Sequence, residues 1–359
     1  MPVPTPKASP TALPATGARG GLRPLPRRVL VFAGLLALLG LVLVLGVAEG
    51  AVPISLSEVV QAVLGLEANP IVTELRLPRV LGALLIGAAL GLSGAAFQGL
   101  FRNPLADPYL MGSAAGAAFG ITLAVSLAGS LSPAFAQNAV FASVPLQATL
   151  FAFVGAVGAV ALTLFLSGGA ARTHDLILAG VVVGSVLTGL TTYLMLQDAD
   201  RVRAVFAYTL GNLAFVGWAG VKKLAFYLLL ALPVLLLLGR TLNALTLGEE
   251  TARSLGLPLG TLKLLLIGLA TLLTAVAVAQ AGIIGFVGLV APHALRRLVG
   301  GDYLVLLPAS ALGGAVLLAA ADLFARTLTA PAELPVGVVT TLLGGPFFLY
   351  LLWRGKGQA

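Results

Sequence analysis

Residues 76–116 read RLPRVLGALLIGAALGLSGAAFQGLFRNPLADPYLMGSAAG. Arg76 and Arg79 open the stretch three positions apart, and an apolar helical run studded with glycine follows. The run breaks at an Asn-Pro…Asp-Pro elbow, Asn103, Pro104, Asp107 and Pro108, and a second small-residue helix begins beyond it. A helix of this kind has too few polar groups for water and enough glycine for close packing. Fixed charges at its ends suit contact with soluble partners, so the segment predicts a membrane span packed among others.

The rest of the chain extends the pattern. Hydrophobic residues make up 59% and charged residues 9% of 359 positions, against roughly a quarter charged in a soluble domain. Mean hydropathy is +1.05. Apolar runs of about 20 residues recur, each long enough to cross a hydrocarbon core as a helix, and none alternates as a barrel strand would. The predicted class is all-α and polytopic, with ten spans near 29–48, 78–100, 110–128, 147–167, 175–196, 222–239, 261–281, 284–299, 304–323 and 335–353. The eighth is short and contains Pro292, which predicts a broken or partial span. Residues 28–359 are expected to form one transmembrane domain. Residues 1–27, rich in Pro, Ala and Gly, are expected to be a disordered tail. The apolar run from Val29 to Val47 is longer than the roughly 7–15 residues of a signal-peptide core, which favours an uncleaved first span.

Charge distribution sets the expected orientation. Of 21 Lys and Arg, Arg76, Arg79, Arg201, Arg203, Lys222, Lys223 and Arg326 fall on one side of the ten spans. The remaining fourteen fall on the other, which predicts a cytoplasmic N-terminus and a cytoplasmic C-terminus. The net charge of +8 is spread singly between spans, so it reads as a topology signal and not as a nucleic-acid surface. Small residues recur every fourth position at Gly87 and Gly91, at Gly112, Gly116 and Gly120, and at Gly180 and Gly184. Such strips let helix backbones approach closely. Gly282, Gly285 and Gly288 beside Pro292 predict a bent element.

Several chemistries have no residues to carry them. There is no cysteine, hence no disulfide and no thiolate chemistry. No Walker A sequence, HExxH or Ser/His/Asp order occurs, and His174 and His293 lack metal-ligand spacing. No metal site, cofactor or catalytic residue is expected. Carboxylates in mid-span, a mark of proton-coupled carriers, are scarce. Asp322 is the nearest case, and Arg326 lies four residues on, where the two can pair on one helix face. A transporter so built needs energy from elsewhere; an ion-gradient-driven carrier and a membrane-bound enzyme are the rival classes.

Segment 241–260, TLNALTLGEETARSLGLPLG, offers a place to receive that energy. Thr246 and Glu249 have capping-box spacing, and Gly256 with Pro258 reads as a helix stop. A short helix of about nine residues, roughly 14 Å long, is predicted between two spans. At the opposite side Arg76 and Arg79 flank Pro78 at a predicted helix start, the wrong end of the dipole for cations. A compensating anion is expected: Glu74, a lipid phosphate, or an acidic residue of a docking protein.

These segments together resemble the FecCD-like permeases of type II ABC importers. The resemblance rests on LRLPR at 75–79, GAALGLSGAAFQGLFRNPLADPYLMG at 87–112 and LILAGV at 176–181. LNALTLGEETARSLGL at 242–257 and GIIGFVGLVAPHALRRLVGGDY at 282–303 continue it, followed by AADLFAR at 320–326 and ELPVGVVTTLLGGPFF at 333–348. It implies ten helices per subunit in the inner membrane, a homodimer with a second permease copy, two ATP-binding subunits and an extracytoplasmic substrate-binding protein. By the same resemblance Arg76, Arg79 and Arg326 dock the binding protein. Leu245, Leu247, Glu249, Glu250, Arg253, Leu255 and Gly256 form the helix that couples to the ATPase. Ser185, Thr188, Thr191 and Thr192 line a pathway, and Ser167 to Arg172 form a gate. The implied cargo is an iron-siderophore, with haem or cobalamin as alternatives. At 206–213, FAYTLGNL, Tyr208 and Asn212 stand where the family usually shows Trp-x-x-Gly-Ser.

Overall fold

A computed structural model of the chain describes residues 26–50, 52–131, 146–170, 173–197 and 199–356. The expected tail, apart from its last two residues, and Arg172 lie outside the described residues.

The described residues form α-helices throughout, joined by short turns. They are α1 (Arg27–Ala48), α2 (Leu56–Val63), α3 (Leu77–Leu100), α4 (Ser113–Leu131) and α5 (Leu146–Leu166). Next come α6 (Thr173–Leu196), α7 (Ala199–Thr209), α8 (Trp218–Leu237), α9 (Gly239–Thr246) and α10 (Glu249–Ser254). The chain closes with α11 (Leu259–Ala281), α12 (Val287–Val299), α13 (Tyr303–Thr327) and α14 (Val336–Lys356). Seven are long and apolar enough to span a membrane, and α4 and α14 contain shorter apolar segments. With the half-length α12, these elements account for the ten expected spans.

Three boundaries differ from the sequence-based expectation for physical reasons. A π-helical turn, Ile71–Arg76, runs without a break into α3, so the second span is a 30-residue helix from Ile71 to Leu100. Pro78 sits in the first turn of α3 as expected, yet Arg76 and Arg79 lie inside a continuous helix and not at its free end. Helix α4 starts at Ser113, because Pro108 and Gly112 (φ 82°) hold the preceding turn out of helical geometry. Residues 282–286 are non-helical, with Phe286 in the left-handed region, so the eighth span is reduced to α12. Irregular backbone of this kind is tolerated at membrane depth only inside protein or beside a water-filled cavity. The amphipathic helices α2 and α7 were missed because neither carries a span-length apolar run. A complete capping box at Ser55 and Glu58 starts α2.

Helix α3 is the hub, packed on α13, α11, α12 and α8. Gly87 and Gly91 let it lie directly on the backbone of Ser310 to Ala315 in α13, and Gly94 touches the carbonyl of Gly288. Helices α4 and α5 form a second close pair through Gly116, Gly120 and Gly155. At Gly87, Gly91, Gly116, Gly120 and Gly180 the small-residue strips read from sequence are close backbone contacts, where even a methyl group would collide, whereas Gly112 and Gly184 leave room for one.

Candidate functional site: a hydroxyl-lined cavity between two charged ends

The elbow after α3 is built from two Asx turns. Asn103 Oδ1 accepts from the Leu105 amide at 2.9 Å, and Asp107 Oδ1 accepts from the Tyr109 amide at 2.7 Å. Each acid or amide precedes a proline that presets the turn. The Tyr109 hydroxyl then donates to the Ile284 carbonyl at 3.1 Å, tying the elbow to the break before α12. Tyr208 and Asn212 close the same region: the Tyr208 hydroxyl donates to the Val278 carbonyl, and the Asn212 amide donates to that of Ala281. The two residues that depart from the family pattern thus anchor α7 and its following turn to the end of α11.

Beside this elbow lies a cavity of about 870 Å³. Helix α6 forms one wall with Ser185, Thr188, Thr191 and Thr192, and Asp107, Tyr109 and the start of α4 form another. All four hydroxyls named from sequence therefore meet in one place. Each donates to the carbonyl four residues earlier at 2.8–2.9 Å, as serine and threonine in a span do. Their lone pairs remain for a passing solute, so the wall is polar without being adhesive. Ser185, Thr188 and Thr192 stay exposed in the single chain, as do Leu178, Val182, Val186 and Leu190 on the same helix. Ser167 lies apart, lining a smaller recess of about 350 Å³ with Asp175 and Leu178.

At one end of the helices the three arginines share a buried cluster. Arg79 is 8% exposed, Arg76 7% and Arg326 4%, so none projects as a free surface cation. Arg79 pairs with Asp322 and with Glu333, both at 2.8 Å. Arg326 meets Asp322 at 3.2 Å, the expected i,i+4 contact, and donates to the carbonyls of Gly46 and Glu49. Arg76 donates to the carbonyls of Val47, Ala48 and Val52. The compensating groups are thus Asp322, Glu333 and carbonyls at the C-terminus of α1 and in the turn after it, and Glu74 is not among them. A helix C-terminus is a natural seat for guanidinium donors. Glu333, with its side chain 41% exposed, is the accessible member.

At the other end α9 and α10 form a helix pair with a turn at Gly248, whose φ of 112° suits glycine. The predicted helix is shortened to the six residues of α10, α9 precedes it, and the capping box does not form. The Thr246 hydroxyl turns back to the Asn243 carbonyl, and Gly248 takes the N-cap position of α10. Glu249 is drawn instead to Lys263 Nζ at 2.7 Å and accepts from the Thr173 hydroxyl at 3.3 Å. Leu245 and Ala252 root the pair in the core, whereas Leu247 and Leu255 are more than 60% exposed alongside Glu250 and Arg253. Asn243 bridges the pair to α13 by donating to Asp302 and accepting from the Tyr303 amide. Gly256, with φ 78°, ends α10 as expected. Lys263 carried the one signal sequence reasoning passed over, a lysine placed inside an apolar helix.

Among the described residues no group of His, Asp or Glu is arranged to hold a metal ion. His293 packs edge-on against Phe347 and Phe348.

A helical membrane protein with an apolar cavity carrying a row of hydroxyls, a rigid charged clamp at one end and an exposed helix pair at the other is a transport permease. Residues 36–354 match the model of the FecCD transport family, and the chain belongs to that family of ABC importer permeases. It is 40% identical to the hemin transport system permease protein of Yersinia pestis, over 79% of this chain and 84% of that one. It is 37% identical to the iron(3+)-hydroxamate import system permease protein of Bacillus subtilis, over 91% and 84%. It is 40% identical to the cobalamin import system permease protein of Halobacterium salinarum, over 79% and 74%. Among solved structures, the inward-facing conformation of a metal-chelate type ABC transporter superposes with a TM-score of 0.75 at 32% identity, covering 91% of this chain and 99% of that one.

Proposed function

We propose that this chain is one of two identical halves of the membrane pathway of an ATP-driven importer of iron-siderophore complexes. The observation that carries the reading is the cavity of about 870 Å³, whose hydroxyl wall on α6 continues into an uncovered apolar face. A second copy facing it closes a pathway wide enough for a chelate, and the helix face that meets lipid or partner is already apolar. Relatives named for hemin, hydroxamate-bound iron and cobalamin support a large chelated-metal cargo as the class.

Orientation follows the charge count, with both termini and the α9–α10 pair on the cytoplasmic side. There Leu247, Glu250, Arg253 and Leu255 present a mixed apolar and charged surface to an ATP-binding subunit. Hydrolysis takes place on that subunit, and this chain contributes no covalent step. On the outer side a substrate-binding protein docks over the arginine cluster. Its acidic groups would compete with Glu333 for Arg79, since Asp322 is buried at 1% exposure and Glu333 is within reach of water. Transport follows when nucleotide shifts the population between outward- and inward-open arrangements. Native mass spectrometry of the complex purified with its ATPase tests the stoichiometry: two copies of this chain with two ATPase subunits is expected, and one copy would overturn it.

A further inference from the structure

We propose that Glu249 is a positioning residue that transmits movement of the α9–α10 pair to the cavity-lining helix α6. The inference rests on the ATP-driven reading above and adds the route by which the drive reaches the pathway.

Three elements meet at one carboxylate oxygen. Glu249 is the first residue of α10, and its Oε1 binds Lys263 Nζ at 2.7 Å and the Thr173 hydroxyl at 3.3 Å. Thr173 is the first residue of α6, the 24-residue helix that carries Ser185, Thr188, Thr191 and Thr192 into the cavity. Lys263 belongs to α11 and is 2% exposed. The two contacts differ in kind. The lysine contact is short and charged, with its ammonium end buried, so α10 and α11 move together. The threonine contact is long and made by a neutral donor on a half-buried residue, so it can form and break as α10 shifts. Arg102, at the end of α3, acts on the same carboxylate through its charge. The helix pair exposed to a partner is thus joined to the pathway wall by one exchangeable hydrogen bond anchored on one fixed ion pair.

The chain has no cysteine, so a single Ser185→Cys substitution reports on the cavity alone. In proteoliposomes containing the assembled complex with its ATP-binding subunit, the rate of labelling by a fluorescent maleimide is read with and without ATP plus vanadate. A nucleotide-dependent change of about tenfold is expected in this parent. Adding Thr173→Val, which leaves the Glu249–Lys263 pair intact, is expected to bring the ratio near one while ATP hydrolysis continues, and Thr173→Ser restores the change. A full response in the Thr173→Val chain overturns the proposal. No response in the parent overturns the ATP-driven reading, and the link with it. Should Thr173→Val block assembly, Glu249→Asp keeps the charge and shortens the reach. Loss of the response there supports the link and its retention overturns it.

Discussion

Arg79 and Asp322 form a two-pronged ion pair between α3 and α13. Nη2 meets Oδ1 at 2.8 Å, and Nε lies 3.1 and 3.2 Å from the two carboxylate oxygens. Planar guanidinium against carboxylate fixes direction as well as distance. The pair holds the ends of the two most closely packed helices in register, and Arg326 leans on the same carboxylate.

Removing that carboxylate takes the ion-pair partner from buried Arg326 and leaves buried Arg79 with the part-exposed Glu333 alone. Asp322→Ala should therefore lower stability by about 3–5 kcal/mol. Glu333→Gln, whose side chain is 41% exposed, should cost no more than about 1 kcal/mol. Thermal unfolding of the detergent-solubilised chain measures both, and equal losses would contradict a clamp centred on Asp322.

Close backbone contact makes a sharper contrast within one residue type. A Cβ at Gly94 has no room beside the Gly288 carbonyl, whereas one at Gly158 meets nothing within 4 Å. Gly94→Ala should abolish accumulation of folded chain in the membrane. Gly158→Ala should be neutral or stabilising by up to about 1 kcal/mol, the helix-propensity difference. Monodisperse yield by size exclusion reads the two outcomes.

Much of this was legible in the sequence, because membrane helices announce themselves by apolar length and their contacts by glycine spacing. The broken eighth span and the Asp322–Arg326 pair follow from local pattern, and the hydroxyls of α6 follow from the family resemblance. What stayed hidden depends on residues far apart in the chain. Arg79 finds Glu333 254 positions away, and no periodicity encodes that meeting. The Thr246–Glu249 spacing misled for the opposite reason. It satisfies the local capping rule, but a buried lysine outbids a backbone amide for the carboxylate.

The exposed side of the α9–α10 pair should carry the affinity for the ATP-binding subunit. Leu255 is 62% exposed and Leu247 68%, too apolar to be left in water without a partner. Leu255→Glu should weaken assembly by about thirtyfold, corresponding to roughly 2 kcal/mol for a central contact. Titration of the ATPase by biolayer interferometry measures it. Unchanged affinity would move the docking surface elsewhere.

Acid should loosen the same region. Burial works to raise the Glu249 pKa, but the Lys263 ammonium, the Thr173 hydroxyl and the Arg102 charge outweigh it, leaving the carboxyl below its ordinary 4.5. A lowered folded-state pKa contributes stability that is fully present above the ordinary value. That contribution is lost as pH falls through the folded value. The Tm should therefore be steady near neutrality and fall below about pH 4.5, and Glu249→Gln should remove part of that fall. An identical acid profile in the variant would contradict the clasp.

The most direct test of the transport account is uptake of a labelled ferric siderophore into proteoliposomes holding this chain and its ATP-binding subunit. The substrate-binding protein is added outside and ATP is sealed within. Accumulation that requires the ATPase, the binding protein and ATP together is the predicted result; uptake of haem or cobalamin under the same three requirements would reassign the cargo and keep the importer. Accumulation driven by an ion gradient without ATP would contradict the account.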